Sequence, residues 1–415
     1  MVELDAIPEA ARERVESIGA TDLVIGLPAC ASDTAVETAV AGLRAVLPTI
    51  ANGLKVVVVH PDGVPQAPAG SPEPPDAGPS LRLLPYPLSP IDRYAEQTQP
   101  DPLRSVLLIG QQLGARASAL LHSEPGPALA SDLRRLAQPV LEQNFDLAVP
   151  RYARRKFDSL INSSIVYPLT RALYGKRIQY PMASDLVFSS RLADRCLQPE
   201  PGQRRPVPLA WITNKAACGG FQVAQVNFGL SPPPKDSVDL SVVLSQVLGS
   251  LFLDMDRNAA CWQKSRGSQT VRSFGAVEQV ADESRAVEVR KMIETFQLGY
   301  RNLLEIWGVV LSPATLLELK KLTAMPPELF RLQDDLWVRL IYDCALAYRL
   351  RAMNRDHLLR AMTPVYLAWV ASYALEVQDA GPAQVENRLE RLCVAFETHK
   401  PLLVSRWRWP DRFNP

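Results

Sequence analysis

The chain has 415 residues, 47% of them hydrophobic, with 45 basic against 44 acidic side chains and a formal net charge of +1. This length exceeds what a single hydrophobic core usually serves, so two domains, or one domain with a large helical extension, are expected. A near-zero net charge provides no general field for nucleic acid or anionic lipid, so any anion site must be local.

The first half alternates apolar runs with helical patterns. Asp22 to Pro28 reads as a buried strand, and Val36, Ala39, Val40, Leu43 and Leu47 recur at helical spacing before a second strand at Lys55 to His60. This is a βαβ unit, and a Pro-rich stretch from Val64 to Pro79 follows it. The pattern resumes with an apolar run at Ser80 to Leu84, a helix at Leu103 to Leu113, and strands at Ala117 to Leu121 and Asp146 to Val149. Strands alternating with helices predict a mostly parallel sheet covered on both faces.

Beyond about Asp236 the character changes. Leu240, Val243, Leu244, Val247, Leu248, Leu251, Phe252 and Met255 follow the spacing of an amphipathic helix, and no alternating strands are read after it. Further helices are predicted at Glu283 to Val310, Pro313 to Thr323, Asp334 to Met353, Arg355 to Val377 and Pro382 to Phe396, punctuated by Pro and Gly. The division expected is therefore an α/β domain over 1–235 and an all-helical domain over 236–415.

No apolar run reaches the roughly 18 to 20 residues that cross a bilayer, and the opening MVELDAIPEAARERVES is too charged for a signal peptide, so a cytoplasmic chain is expected. Cys30, Cys196, Cys218, Cys261, Cys344 and Cys393 are scattered singly, which suggests buried thiols rather than a disulfide framework or zinc knuckle. Trp337, Tyr342, Tyr348, Tyr366, Trp369 and Tyr373 fall at helical spacing and read as packing residues rather than a ligand box. The tail from Arg406, RWRWPDRFNP, reads as Arg and Trp packing on the protein's own surface rather than a nucleic-acid stacking platform.

The stretch Arg151 to Ser190, and within it the phrase NSSIVYPLTRALYGKR from Asn162 to Arg177, resembles the retaining GT-A glycosyltransferases of the glucosylglycerate, mannosylglycerate and glucosyl-3-phosphoglycerate synthase group. The resemblance implies a GT-A, Rossmann-like sheet followed by helices, a nucleotide-sugar donor, a small acidic acceptor and a divalent cation on the donor diphosphate. The phrase Asn162 to Arg177 itself has apolar positions at helical spacing and argues mainly for a scaffold helix.

Against that family's pattern the donor side departs at several places. Where the resemblance puts an Asp-x-Asp metal pair, the chain reads His122-Ser123-Glu124, followed at once by Pro125-Gly126-Pro127. His122 and Glu124 remain possible ligands, though a His and a Glu suit a softer ion than magnesium. No His stands in the Val226 to Asp236 stretch where a third ligand is implied, and Pro100-Asp101-Pro102 replaces a Lys-containing sequence. The loop Pro28 to Ser32 also departs from the base-contacting pattern. Asp62, before Gly63, is the surviving candidate for a nucleotide-base contact, with an ordinary Asp-Gly turn as its alternative.

On the acceptor side, Arg151, Arg154, Arg155 and Lys156 cluster just after a predicted strand end, suited to a carboxylate or phosphate, or else solvated or paired to acids. Ala183-Ser184-Asp185 stands in place of a Gly-Gly-Asp loop, keeping Asp185. The leading expectation is a pseudo-glycosyltransferase with a decayed metal and diphosphate site, kept as a binding or assembly subunit, with no cofactor. The alternative is an active retaining transferase moving glucose or mannose from a nucleotide sugar to glycerate or a similar acid, with Mg or Mn, or metal-independent. A homo-oligomer or a complex with an active paralogue is implied by resemblance; no nucleic acid and no membrane span are expected.

Overall fold

A computed structural model describes residues 15–27, 38, 41–43, 54–61, 81–86, 102–121, 127–183, 185–198, 210–230, 239–278 and 287–410. Eight strands form one sheet: β1 (Leu23–Gly26), β2 (Val56–Pro61), β3 (Leu81–Tyr86), β4 (Ala117–Leu120), β5 (Leu147–Ala153), β7 (Leu186–Ser189), β8 (Val223–Leu230) and β10 (Arg272–Phe274), in the order β10-β8-β5-β7-β4-β1-β2-β3. Two short strands, β6 (Lys176–Arg177) and β9 (Gln269–Thr270), pair separately. All neighbours in the large sheet run parallel except β7, which is antiparallel to both β4 and β5.

The expected α/β class is what the structure shows: a mostly parallel sheet, then helices. The helices are α1 (Pro102–Gln112), α2 (Pro127–Glu142), α3 (Tyr167–Tyr174), α4 (Ser190–Leu197), α5 (Trp211–Cys218), α6 (Leu240–Arg257) and α7 (Ala259–Trp262). After them come α8 (Val289–Val310), α9 (Pro313–Thr323), α10 (Asp334–Leu350), α11 (Arg355–Arg360), α12 (Thr363–Val377) and α13 (Pro382–Arg408). The helix predicted from Val36 to Leu47 lies mostly outside the described residues.

Alternation along the strands divides the core. Val24 packs on one face of the sheet with Val57, Val59, Leu147 and Phe188, while Leu23 and Ile25 pack on the other with Val56, Val58 and Val187. A third core belongs to the helices, and it takes in Ile165, Val166, Leu169 and Leu173 from the Asn162 to Arg177 phrase. That phrase begins as a π-helical turn at Asn162–Val166, continues as α3, and stops at Gly175 with φ +68°. A Cβ at Gly175 would be strained by that φ and would also meet Ser265 Oγ at 2.5 Å and the Gly267 carbonyl at 2.9 Å. The phrase is scaffold, as expected, and it is the helical layer that it anchors. Trp337 Nε1 donates to the Ser164 carbonyl at 3.0 Å from the other side of this core.

The aromatic residues read as packing are all buried: Trp337 and Tyr373 at 0%, Trp369 at 1%, and Tyr342, Tyr348 and Tyr366 at no more than 9%. At the tail, Trp407 is buried against Trp262 with ring centroids 5.2 Å apart, and the Arg349 guanidinium lies 4.5 Å over its ring. Arg406 pairs with the buried Asp343. Trp409 is exposed.

Four expectations change. The region beyond residue 235 is not all helix: β9 pairs with β6, and β10 returns to the large sheet beside β8. Both strands are two or three residues long and mostly exposed, too short for an alternation signal. The helix predicted over Arg355 to Val377 breaks after α11, because Pro364, in the first turn of α12, brings no backbone N–H to continue the ladder. The same span is the one described helical stretch long and apolar enough to cross a bilayer, and 72% of it is buried inside the molecule. The last helix runs on from Phe396 to Arg408 through Pro401, carried by a buried stripe of Phe396, Lys400, Leu403 and Trp407. Lastly, Cys218 and Cys261 are joined by a disulfide with Cα atoms 5.8 Å apart, while Cys196, Cys344 and Cys393 are buried thiols. The pairing arises because the end of α5 meets α7, which sequence spacing does not reveal.

Asp254 on α6 is buried among donors: Tyr174 through its hydroxyl, Asn214 Nδ2 at 2.6 Å and Asn258 Nδ2 at 2.9 Å. Burial pushes its carboxyl up from 3.8 to about 6, against the opposing pull of those donors. The folded state therefore holds this proton more tightly than the unfolded one. The resulting stability is fully present below about pH 4 and is lost as pH rises through about 6, a swing of about 3 kcal/mol. Urea midpoints of the wild type and Asp254→Asn are expected to diverge by that amount between pH 4 and 7. A constant offset between the two curves would refute the assignment.

Candidate functional site

In an open α/β sheet, ligands meet the carboxyl ends of the strands, where loops leave the layer. Strand β5 is fully buried from Leu147 to Pro150 and then emerges, so Arg151, Tyr152 and Ala153 are half-buried at its carboxyl end. Arg151 pairs in register with Asn227 and Tyr152 with Phe228 of β8; the register then shifts, setting Ala153 opposite Leu230. Such an irregularity bends the strand and re-aims the residues beyond it. Because β7 runs antiparallel to β5, its starting end lies at the same edge, and Asp185 just before it is buried there.

These ends open into a cavity of about 520 Å³, lined on one side by Arg151, Tyr152, Gln179, Asn227 and Phe228 and on the other by Ala380, in the turn that joins α12 to α13, and by the first residues of α13 up to Glu386. Arg154, Arg155 and Lys156 also line it, as does Glu278 from the segment after β10. The volume is that of an ordinary small-molecule site.

The four neighbouring cations have different tasks. Lys156 Nζ donates to the carbonyls of Gln378 at 3.1 Å, Ala380 at 3.4 Å and Val377 at 3.5 Å, where the carboxyl end of α12 favours a cation. Arg154 Nη2 pairs with Glu386 of α13 at 3.2 Å, while its Nη1 is buried with no hydrogen-bond partner among the described residues. Arg155 donates through its backbone N–H to Asp158 Oδ2 at 3.1 Å. Arg151 makes no hydrogen bond or ion pair among the described residues, and it faces the cavity.

Tyr152 lies beside Asp185, and its hydroxyl is held well above the usual tyrosine value, first by burial and then by the Asp185 charge to which it is hydrogen-bonded. Tyr152 also meets Tyr180 edge-on at 5.4 Å. Behind them, Arg135 donates to the Asn227 carbonyl and stacks over Phe228 at 4.9 Å, and it pairs with Asp132 at 3.5 Å. Burial raises the Asp132 carboxyl, partly offset by Arg135 and reinforced by the charges of Glu278 and Asp185. The edge therefore carries cations on the β5 side and carboxylates toward α2 and β10.

Of the residues singled out from sequence, Arg151, Arg154 and Lys156 come together in the cavity, and Asp185 stands behind its Tyr152 wall. Asp62, His122 and Glu124 lie outside the described residues. Tyr152, Gln179, Asn227, Glu278 and Glu386 were not singled out. Tyr152 sits inside the basic run and could have been; the others reach the cavity only through tertiary packing. Among the described residues no group of three or more His, Cys, Asp or Glu is placed to hold a metal ion.

Sheet and cavity together define an α/β protein with a cavity at its strand ends that charged and aromatic residues line. The chain is similar to glucosyl-3-phosphoglycerate synthase from Mycobacterium tuberculosis, solved with Mn2+, UDP-glucose and phosphoglyceric acid, at 14% identity and a TM-score of 0.35, covering 60% of this chain and 82% of that one. It is also similar to mannosyl-3-phosphoglycerate synthase from Rubrobacter xylanophilus, at 14% identity and a TM-score of 0.36, covering 62% and 81%. No protein-family model matches the chain, and no curated relative does. The fold assignment rests on the chain's own strand order and register.

Proposed function

We propose that this chain is a glycosyltransferase homologue that keeps an acceptor-side pocket for a small acid, has lost its donor-side metal and diphosphate chemistry, and acts as a binding or assembly subunit. The observation that carries the retained half is Arg151, half-buried in a cavity of about 520 Å³ with no protein partner among the described residues. A guanidinium so placed is suited to a carboxylate or phosphate. Arg154 and Lys156 instead hold the α12–α13 turn over the pocket and shape its roof.

The lost half is supported by residue identity. His122 stands where the resemblance puts the first metal carboxylate, and Pro100-Asp101-Pro102 where it puts a cation for the diphosphate. A metal clamp on a leaving phosphate supplies several kcal/mol, and losing about 4 kcal/mol already costs on the order of a thousandfold in rate. Calorimetric titration with UDP-, GDP- and ADP-sugars, each with manganese or magnesium, is expected to show no metal-dependent binding. Alanine at Asp62 or Glu124 is expected to change nothing measurable. Micromolar, metal-dependent binding of any of these donors would instead restore an active retaining transferase. An assembly role further predicts self-association or a co-purifying partner, and a monomer that captures none would count against it.

A further inference from the structure

The pocket holds acceptors as well as cations, and their placement narrows the ligand. Arg151 and Asn227 are register partners in parallel strands, so their side chains leave the same face of the sheet. Gly229, two residues further along β8, is the residue that the register shift leaves unpaired. A Cβ there would meet Glu278 Oε2 at 2.7 Å, so the Glu278 carboxylate rests directly on the Gly229 backbone. Arg151 and Glu278 both line this cavity of about 520 Å³. One small molecule can therefore touch both the guanidinium and the carboxylate.

Asn227 is held by the protein itself. Its Nδ2 donates to the Gly275 carbonyl at 2.8 Å, which fixes the orientation of the amide and leaves Oδ1 buried without a partner among the described residues. Glu278 is itself exposed to the cavity and makes no hydrogen bond or ion pair among the described residues.

We infer that the pocket selects a zwitterion, a small molecule whose carboxylate meets Arg151 and whose ammonium meets Glu278. This rests on the pocket being the small-acid site of the proposed function. A ligand bearing acid groups alone would bring its negative charge against Glu278, whereas an ammonium gains a charge-assisted bond at the same place. Amino acids and their small derivatives are the matching chemical class.

Serine and glycerate of the same configuration differ only by an ammonium in place of a hydroxyl on one carbon, which makes them the probes. Calorimetry on the full chain, extended to millimolar ligand, is expected to show serine binding about tenfold tighter than glycerate, the margin of a charge-assisted over a neutral contact. Glu278→Gln should bring the two within about twofold, and Arg151→Ala should weaken both about tenfold or more. Thermal melts of the two variants, both changed at side chains that face the cavity, establish that they fold. Glycerate binding as tightly as serine, or a preference unmoved by Glu278→Gln, overturns the zwitterion inference and leaves the small-acid pocket standing. Failure of the wild-type chain to bind either compound overturns both.

Discussion

Replacing Arg171 with alanine will lower the unfolding free energy by about 3 kcal/mol or more, because it removes the centre of a buried ion cluster and leaves its partners behind. The Arg171 side chain is 1% exposed, deep beneath α13. Its Nη1 and Nη2 reach Glu390 at 2.6 and 2.7 Å in a forked pair, and its Nε reaches Glu397 at 2.9 Å. The Ser268 hydroxyl accepts a further bond at 3.3 Å. Glu390 is 45% exposed, so water recovers part of its solvation when the arginine is lost, which places the expected effect at the low end for a broken buried pair. Glu390→Gln is the milder control, since Glu397 and a neutral acceptor still serve the guanidinium; about 1 kcal/mol is expected. Urea midpoints read both effects. An Arg171→Ala variant as stable as the wild type would mean that the cluster contributes nothing net.

The pH dependence of that cluster has a definite sign. Hydrogen bonds from Arg171 hold the Glu390 carboxyl below its ordinary value of 4.5. Its contribution is therefore present above that value and lost on acidification through the lower folded value. Asp254 behaves oppositely, gaining on acidification, so Glu390→Gln and Asp254→Asn should shift the acid limb of the stability curve in opposite directions.

Loss of the Cys218–Cys261 disulfide will cost about 2 to 4 kcal/mol. The bond closes a sequence separation of 43 residues, for which the loop-entropy model gives about 4 kcal/mol, an upper figure where the reduced chain keeps residual structure. It ties α5, which lies against the sheet, to α7 of the helical layer. Guanidinium unfolding with and without reductant is the measurement. Cys218→Ser and Cys261→Ser should each lose the same amount, and reductant should then have no further effect on either. Thiol titration of the denatured chain should find at least two fewer reactive thiols without reductant than with it, and equal numbers would remove the premise.

Most elements were legible because their causes are local. The valine run of β2 can bury both of its faces only inside a covered sheet, and the stripe of Leu244, Leu248, Leu251 and Met255 can bury its side chains only as a helix. Where the sequence reading stopped short, a tertiary contact outweighed a local signal. Pro401 suggests an end to α13, yet Leu403 and Trp407 continue the buried stripe across it. Strand β10 shows no apolar pattern, and its place in the sheet is set by the partner β8.

The candidate site divides in the same way. Arg151 to Lys156 stood out because several positive charges crowd a predicted strand end, a pattern visible in one short stretch of chain. Their separate tasks did not, because those depend on where the α12–α13 turn docks. The carbonyls of Gln378 and Ala380 take Lys156 and Glu386 takes Arg154, while Arg151 has no protein partner among the described residues.

By itself, then, the sequence determined the order of an α/β half followed by helices, the buried aromatic core of that second half, and the position of a basic cluster. Each comes from side-chain spacing over a few turns or strands, which short-range geometry converts directly into burial. Only the tertiary structure decided which cations are spent on the protein, which cysteines pair, and that Glu278 and Asn227 line one cavity with Arg151. Those are contacts between distant segments, and their energies exist only once the sheet and the helices have packed together.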